Sequence, residues 1–191
     1  FVAVWAQTQA DQKTPEGIYA RTYGVDGKAQ GDIKMLAGEG AIEPSIDSNG
    51  SEFALAWMSK DGEGYVVQSQ RFNAKSEAFG DVWTAPQAAE GNYLNGAAVT
   101  MAPDGRQMVA FNQHQPSTMN DQNRRARHIS ILGQRFDAAG NAVGDVQRLN
   151  QNDEGVQDLR VGKNAKHLVW SEQDQIAMTW YGKTEGDGKG I

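Results

Sequence analysis

Three arginines crowd into four residues of an otherwise acidic chain. Arg124, Arg125 and Arg127 stand in HQPSTMNDQNRRAR (His114 to Arg127), where Asp121 is the one acid, while the whole chain has a formal charge of −6. Guanidinium forks match planar anions such as carboxylate or sulfate through paired hydrogen bonds. The stretch is therefore a candidate contact for an anion or an acidic glycan, with His114 and Asn120 assisting. The competing reading is a solvated insertion whose arginines pair with neighbouring acidic loops, such as those carrying Glu90 and Glu154.

A second recurring feature is a carboxylate beside a glycine, at Glu39-Gly40, Glu90-Gly91 and Glu154-Gly155. Such turns could line similar sites for sugar hydroxyls, or for Ca²⁺, which takes hard oxygen ligands. The plainer explanation is a turn glycine next to a solvated Glu. Just beyond the second pair, Asn92, Tyr93 and Asn95 combine an aromatic ring with amides, a mixture suited to a sugar ring. DSNGSE (Asp47 to Glu52) has the look of a calcium loop but lacks the spacing to a distal bidentate Glu, and reads as a hairpin turn. There is no phosphate loop, no G-x-S-x-G and no His-x-x-Glu-His. His114, His128 and His167 share no metal-ligand spacing. No catalytic residue is identified and no cofactor is expected, Ca²⁺ being the one metal the Glu-Gly turns leave open.

Composition narrows what surrounds these residues. A chain of 191 residues suffices for one domain with a real core, or for several small units that share one. Its 22 glycines, 39% apolar and 22% charged residues describe a turn-rich globular protein. No apolar run approaches the roughly 18 to 20 residues that cross a bilayer as a helix, so no membrane span is expected. The acidic balance opposes nucleic acid, which demands a basic footprint. With no cysteine there is neither a disulfide framework nor Cys-ligated zinc. The opening FVAVWAQ has no basic region ahead of an apolar segment and does not read as an export signal.

The organising feature is a repeat. RFDAAGNAVGDVQRLN (Arg135 to Asn150) is echoed by RFNAKSEAFGDVWTAP (Arg71 to Pro86) and TYGVDGKAQGDIKMLA (Thr22 to Ala37), with Gly-Asp always at one distance from Tyr23, Phe72 or Phe136. Apolar runs around Trp5, Trp57, Phe111 and Trp170 recur 52 to 59 residues apart, and they lack the polar alternation of a half-wet sheet. That is how a strand buried on both faces reads. The order within a unit is four strands, for example AIEPSIDS, EFALAWMS, YVVQSQRF and DVWTAP. Hairpin dipeptides such as Asn49-Gly50 and Asp104-Gly105 join the first two strands. Small residues, Ala20, Ser69 and Gly133, hold one third-strand position, as if to admit a neighbouring sheet at close range.

Four-stranded antiparallel units of this length, wet on neither face, stack best as blades of a β-propeller, an irregular β-sandwich or solenoid being the alternative. The expected fold is all-β: a partial propeller of about four blade units, at 1–38, 39–88, 89–151 and 152–191, within one repeat domain. The first and last units are incomplete, so self-association or a missing segment is expected to complete the fold. Connections between second and third strands, and between fourth and next first strands, diverge among units and share one side, where binding is best placed.

The apolar strand, the RFDAxG hairpin and the closing Asn150 resemble tandem propeller-like repeats of large secreted or cell-surface bacterial proteins; Pro86 and Ala37 depart from that pattern. The resemblance implies an extracellular or surface location, the periplasm being the other option, and a role in adhesion. The expected function is a non-catalytic, carbohydrate-binding or protein-binding module, whose partner is a glycan or a protein ligand. The alternative is a fragment of a propeller-scaffold carbohydrate-active enzyme, a glycosidase or lyase, which would need two opposed carboxylates.

Overall fold

The computed structural model describes residues 1–9, 16–88, 90–115, 129–150, 168–171 and 175–177, and the backbone alone of 118–119, 125–126, 157–158, 178 and 181–182. Among the described residues all regular structure is strand. The first sheet is β1 (Val2–Gln7), β2 (Gly17–Tyr23) and β3 (Ala29–Ala37); the second is β4 (Ala41–Ser48), β5 (Glu52–Asp61), β6 (Gly64–Asn73) and β7 (Ala78–Thr84). Next come β8 (Tyr93–Met101) and β9 (Gln107–His114), then a short ladder of β10 (Thr118–Met119) with β11 (Arg125–Ala126). The chain returns through β12 (Ile129–Phe136) and β13 (Ala142–Arg148), giving a third sheet in the order β8-β9-β12-β13. Short pairs follow, β14 (Gln157–Asp158) with β17 (Tyr181–Gly182) and β15 (Leu168–Trp170) with β16 (Ile176–Met178). The protein is all-β, every pairing is antiparallel, and the second and third sheets each have four strands in chain order.

The sheets pack face on face, and single strands feed two cores. Side chains alternate across a strand, so Ala54, Ala56 and Met58 of β5 meet Val99, Val109 and Phe111 of the third sheet. Their neighbours Phe53, Leu55 and Trp57 meet Ile18 of the first. Likewise Met108 and Ala110 of β9 turn away from the second sheet toward Leu168 on β15. This double burial is why the strands around Trp57 and Phe111 are apolar at successive positions rather than alternate ones. The closing strands of the three sheets, β3, β7 and β13, are exposed along most of their length.

The fixed interval from aromatic to Gly-Asp has a backbone cause. Gly31, Gly80 and Gly144 adopt φ of 72°, 73° and 66°, a left-handed conformation that costs a residue with Cβ about 1 to 2 kcal/mol. Opposite them the strand register slips, between Ala20 and Thr22, Ser69 and Arg71, and Gly133 and Arg135. These are β-bulges, and each is pinned the same way. Arg21 Nε, Gln70 Nε2 and Gln134 Nε2, two residues before the aromatic, donate to the carbonyls of Gly31, Gly80 and Gly144 at 3.3, 3.1 and 3.2 Å. Because pairing continues across the bulge, β7 begins at Ala78, three residues earlier than the Asp81 expected from the sequence.

The hairpin ahead of each bulge is also built alike. Ser76 and Gly140 take left-handed φ of 59° and 89°, and the side chain opening the turn, Asn73 or Asp137, accepts backbone N–H groups inside it. Asp137 Oδ1 accepts from Ala139 N at 2.9 Å and Asn141 N at 2.8 Å. The Asn141 side chain, then the turn amides, hold the Asp137 carboxyl below its usual value of 3.8. A depressed carboxylate stabilises the fold above its unfolded-state pKa, and that contribution disappears as pH falls through the folded one. Amide-exchange protection of Ala139 and Asn141 should therefore outlast the ordinary carboxylate value of 3.8 on acidification and fall away only as pH drops further, through the lowered folded one, and Asp137→Ala should lose it already at neutral pH. Protection unchanged in that variant would contradict the assignment.

Ala20, Ser69 and Gly133 are buried, but not for a single reason. A Cβ at Gly133 would lie 2.5 Å from Met108 Cε and 2.8 Å from Leu149 Cδ1, so the ends of two flexible side chains of its own sheet fill the space a larger residue would take. Ser69 instead borders a cleft between the second and third sheets.

Polar contacts tie sheet to sheet. DSNGSE is a turn, with Asn49 Oδ1 accepting from Ser51 N and Glu52 N at 3.1 Å each, yet its first residue does more. Asp47 Oδ2 accepts from Thr100 Oγ1 at 2.9 Å and from Met101 N at 3.0 Å in the third sheet. The Thr100 hydroxyl in turn accepts from Trp170 N at 3.0 Å. Nearby, buried Arg71 pairs with Glu52 and donates to Ala138 O across the same interface.

Candidate functional site

The side of the third sheet expected to diverge carries a cluster joining two features that the sequence presents separately. The β8–β9 register sets Tyr93 opposite His114 and Asn95 opposite Asn112. The Tyr93 and His114 rings stack with centroids 4.6 Å apart and planes within 11°. His114 is buried, whereas Tyr93 is 52% exposed. The result is an aromatic ring presented to solvent on a fixed base.

Hydrogen bonds orient that base. Asn112 Nδ2 donates to Asn95 Oδ1 at 3.1 Å, and His114 Nε2 lies 3.0 Å from the same oxygen. An oxygen that already accepts from an amide accepts again, so Nε2 carries the imidazole hydrogen and donates. Burying Asn112 and His114 is costly unless their polar atoms are paired, and the Asn95 carbonyl serves both. At the corresponding register of the second sheet Gly40 stands beside Lys60 and Ile42 opposite Met58. The polar cluster is thus particular to the third sheet and is not required by the strand pairing.

A bulge shapes the approach. Between Asn95 and Ala97 the register shifts at Gly96, φ 57°, as it does in β4 at Glu43, φ 54°. The extra residue turns the start of β8 relative to the rest of the strand. At its other flank β9 ends at His114, and β10 begins at Thr118, so the short ladder of β10 and β11 grows out of the strand that carries the imidazole.

The other expected site residues distribute as follows. Asn92 is half-buried and immediately precedes Tyr93. Glu39 and Glu90 are exposed and, among the described residues, make no side-chain hydrogen bond or ion pair, while Gly40 and Gly91 take φ of 80° and 78°. Those two positions fit turn glycines beside solvated carboxylates. Asn120, Arg124, Arg127 and Glu154 lie outside the described residues, and of Arg125 only the backbone is described, paired with Met119. No three His, Asp or Glu side chains converge on a possible metal position among the described residues. Asn112 was missed in the sequence because an Asn in a buried apolar run has no signature of its own; its pairing with Asn95 comes from register. No helix among the described residues is long and apolar enough to cross a membrane. No protein-family model, curated protein or solved structure matches this chain.

Proposed function

We propose that the chain is a non-catalytic binding module of a secreted or cell-surface bacterial protein, that its sheets are propeller blades, and that it takes a glycan on the Tyr93 ring. One observation carries the reading: a half-exposed aromatic ring lies flat on a buried imidazole that is held by Asn95, whose amide oxygen is in turn fixed by Asn112. Fixing the ring in advance lowers the conformational entropy lost when a ligand packs on it. The apolar face of a sugar ring stacks on Tyr93, and the Asn95 amide, at the rim, meets its hydroxyls. The adjoining β10–β11 ladder brings further polar chain to the same side, and an adhesive role follows if several such surfaces act in one larger protein.

Binding to an array of neutral and acidic glycans tests this. Wild type should be retained by at least one glycan. Tyr93→Ala should bind about two- to tenfold more weakly, the effect of losing an aromatic contact of about 0.5 to 1.5 kcal/mol, while still unfolding in one cooperative transition within about 5 °C of wild type, since its stacking on His114 is lost as well. Absence of any glycan binding by wild type, or equal binding by the variant, would sink the reading.

A further inference from the structure

A cleft of about 350 Å³ opens between the second and third sheets, at the end opposite the Tyr93 cluster. Its walls come from β6 (Ser69, Arg71), β7 (Phe79 to Trp83), the first residue of β9 (Gln107) and the turn from β12 to β13. Ser69, Arg71 and Gln107 are 2%, 5% and 3% exposed. Each nevertheless has a polar atom without a hydrogen-bond partner: Ser69 Oγ, Arg71 Nε and Gln107 Oε1. Buried polar groups are overwhelmingly paired in folded proteins, so three orphans around one cleft call for a common partner. We propose that this cleft is a binding site for a single neutral sugar residue, distinct from the Tyr93 surface and independent of its role.

The chemistry selects the ligand. Arg71 Nε only donates, Gln107 Oε1 only accepts, and Ser69 Oγ does either. A hydroxyl is both donor and acceptor, so a polyhydroxylated ring can offer each a partner once these side chains, whose orphaned atoms are shielded from solvent in the free protein, turn toward the cleft. A carboxylate has no hydrogen for Gln107, and the attraction that any anion would find at Arg71 is already taken up by Glu52. The exposed Asp81 carboxylate at the mouth further opposes an anion. An ammonium group fails at Arg71, where both partners would be donors. Trp83, held edge-on against Phe136 with centroids 5.4 Å apart, supplies an aromatic wall for the C–H face of the ring. The volume lies at the small end of ligand pockets, which suits one sugar residue rather than a chain.

The site is read by ¹⁵N NMR of the Arg71 Nε–H and Trp83 indole N–H signals, assigned through Arg71→Lys and Trp83→Phe. Glucose, galactose, mannose and N-acetylglucosamine are titrated, with glucuronate and glucosamine as charged counterparts. At least one neutral sugar should shift both signals saturably, and the two charged ones should bind at least tenfold more weakly. Ser69→Leu, which fills the cleft, and Gln107→Met, which removes the acceptor, should each weaken that binding at least tenfold; either suffices if the other fails to fold. Tyr93→Ala should leave it unchanged. Methyl glycosides matching the free sugars would assign a residue within a glycan, and their failure would assign a free monosaccharide. The proposal falls if no neutral sugar shifts the two signals, if glucuronate binds better than every neutral sugar, or if the shifts persist in whichever cleft variant folds.

Discussion

Arg71→Leu is expected to lower the unfolding free energy by about 3 kcal/mol, the scale on which stripping one partner from a buried ion pair destabilises a protein. At roughly 2 to 4 °C per kcal/mol for a chain of this size, the melting midpoint should drop by about 6 to 12 °C. The Arg71 side chain is 6% exposed and that of Glu52 18%, so the orphaned carboxylate would keep little water. Ala138 O would lose its 2.6 Å donor as well. The guanidinium also sits 5.0 Å above the Phe79 ring and against two turn glycines, Gly105 and Gly140, at φ of 91° and 89°. Those turns belong to the third sheet, so the loss would loosen one sheet from the next and not only one strand. Arg71→Leu combined with Glu52→Leu should recover part of the cost, because the uncompensated charge is then gone. A single variant melting within about 2 °C of wild type would show that the pair carries no net weight.

Asp47→Ala should cost about 3 to 6 kcal/mol in chemical denaturation. Two hydrogen bonds to a charged acceptor, each contributing about 1.5 to 3 kcal/mol, are lost together, from Thr100 Oγ1 and Met101 N. Thr100 is fully buried, so its hydroxyl has no direct access to water. It also accepts from Trp170 N, and the disturbance should reach β15: Trp170 amide protection should fall in Asp47→Ala although the two residues belong to different sheets. Asp47→Asn keeps an oxygen acceptor and should lose less than half as much. Unaltered Trp170 exchange in Asp47→Ala would break the proposed link through Thr100.

The fourfold strand order, the hairpin turns and the doubly buried second strands were legible in the chain because each rests on neighbours within a few residues. The bulge found here places a residue at positive φ, so Gly31, Gly80 and Gly144 recur; a side chain two places before the aromatic reaches the bulge carbonyl, so Arg21, Gln70 and Gln134 recur at that position. Period and turn chemistry are local, and local rules write themselves into sequence. Asn150 belongs to the same class: it accepts from Ile131 N and donates to Ile129 O, closing the end of its own sheet.

Contacts between sheets leave no such trace. Asp47 resembles any residue of a turn until β4 is laid beside β8, and Arg71 resembles its repeat partner Arg135, although Arg71 is buried and Arg135 exposed. Tyr93 and His114 are 21 positions apart and become one surface through a register that depends on the Gly96 bulge. The cleft beside Ser69 exists only because the two sheets part there, where the small third-strand residue was expected to bring them together. Side chains that meet across a sheet face are chosen by distance in space, and residues far apart in the chain carry that choice only as a pair, which a single sequence read along its length does not display.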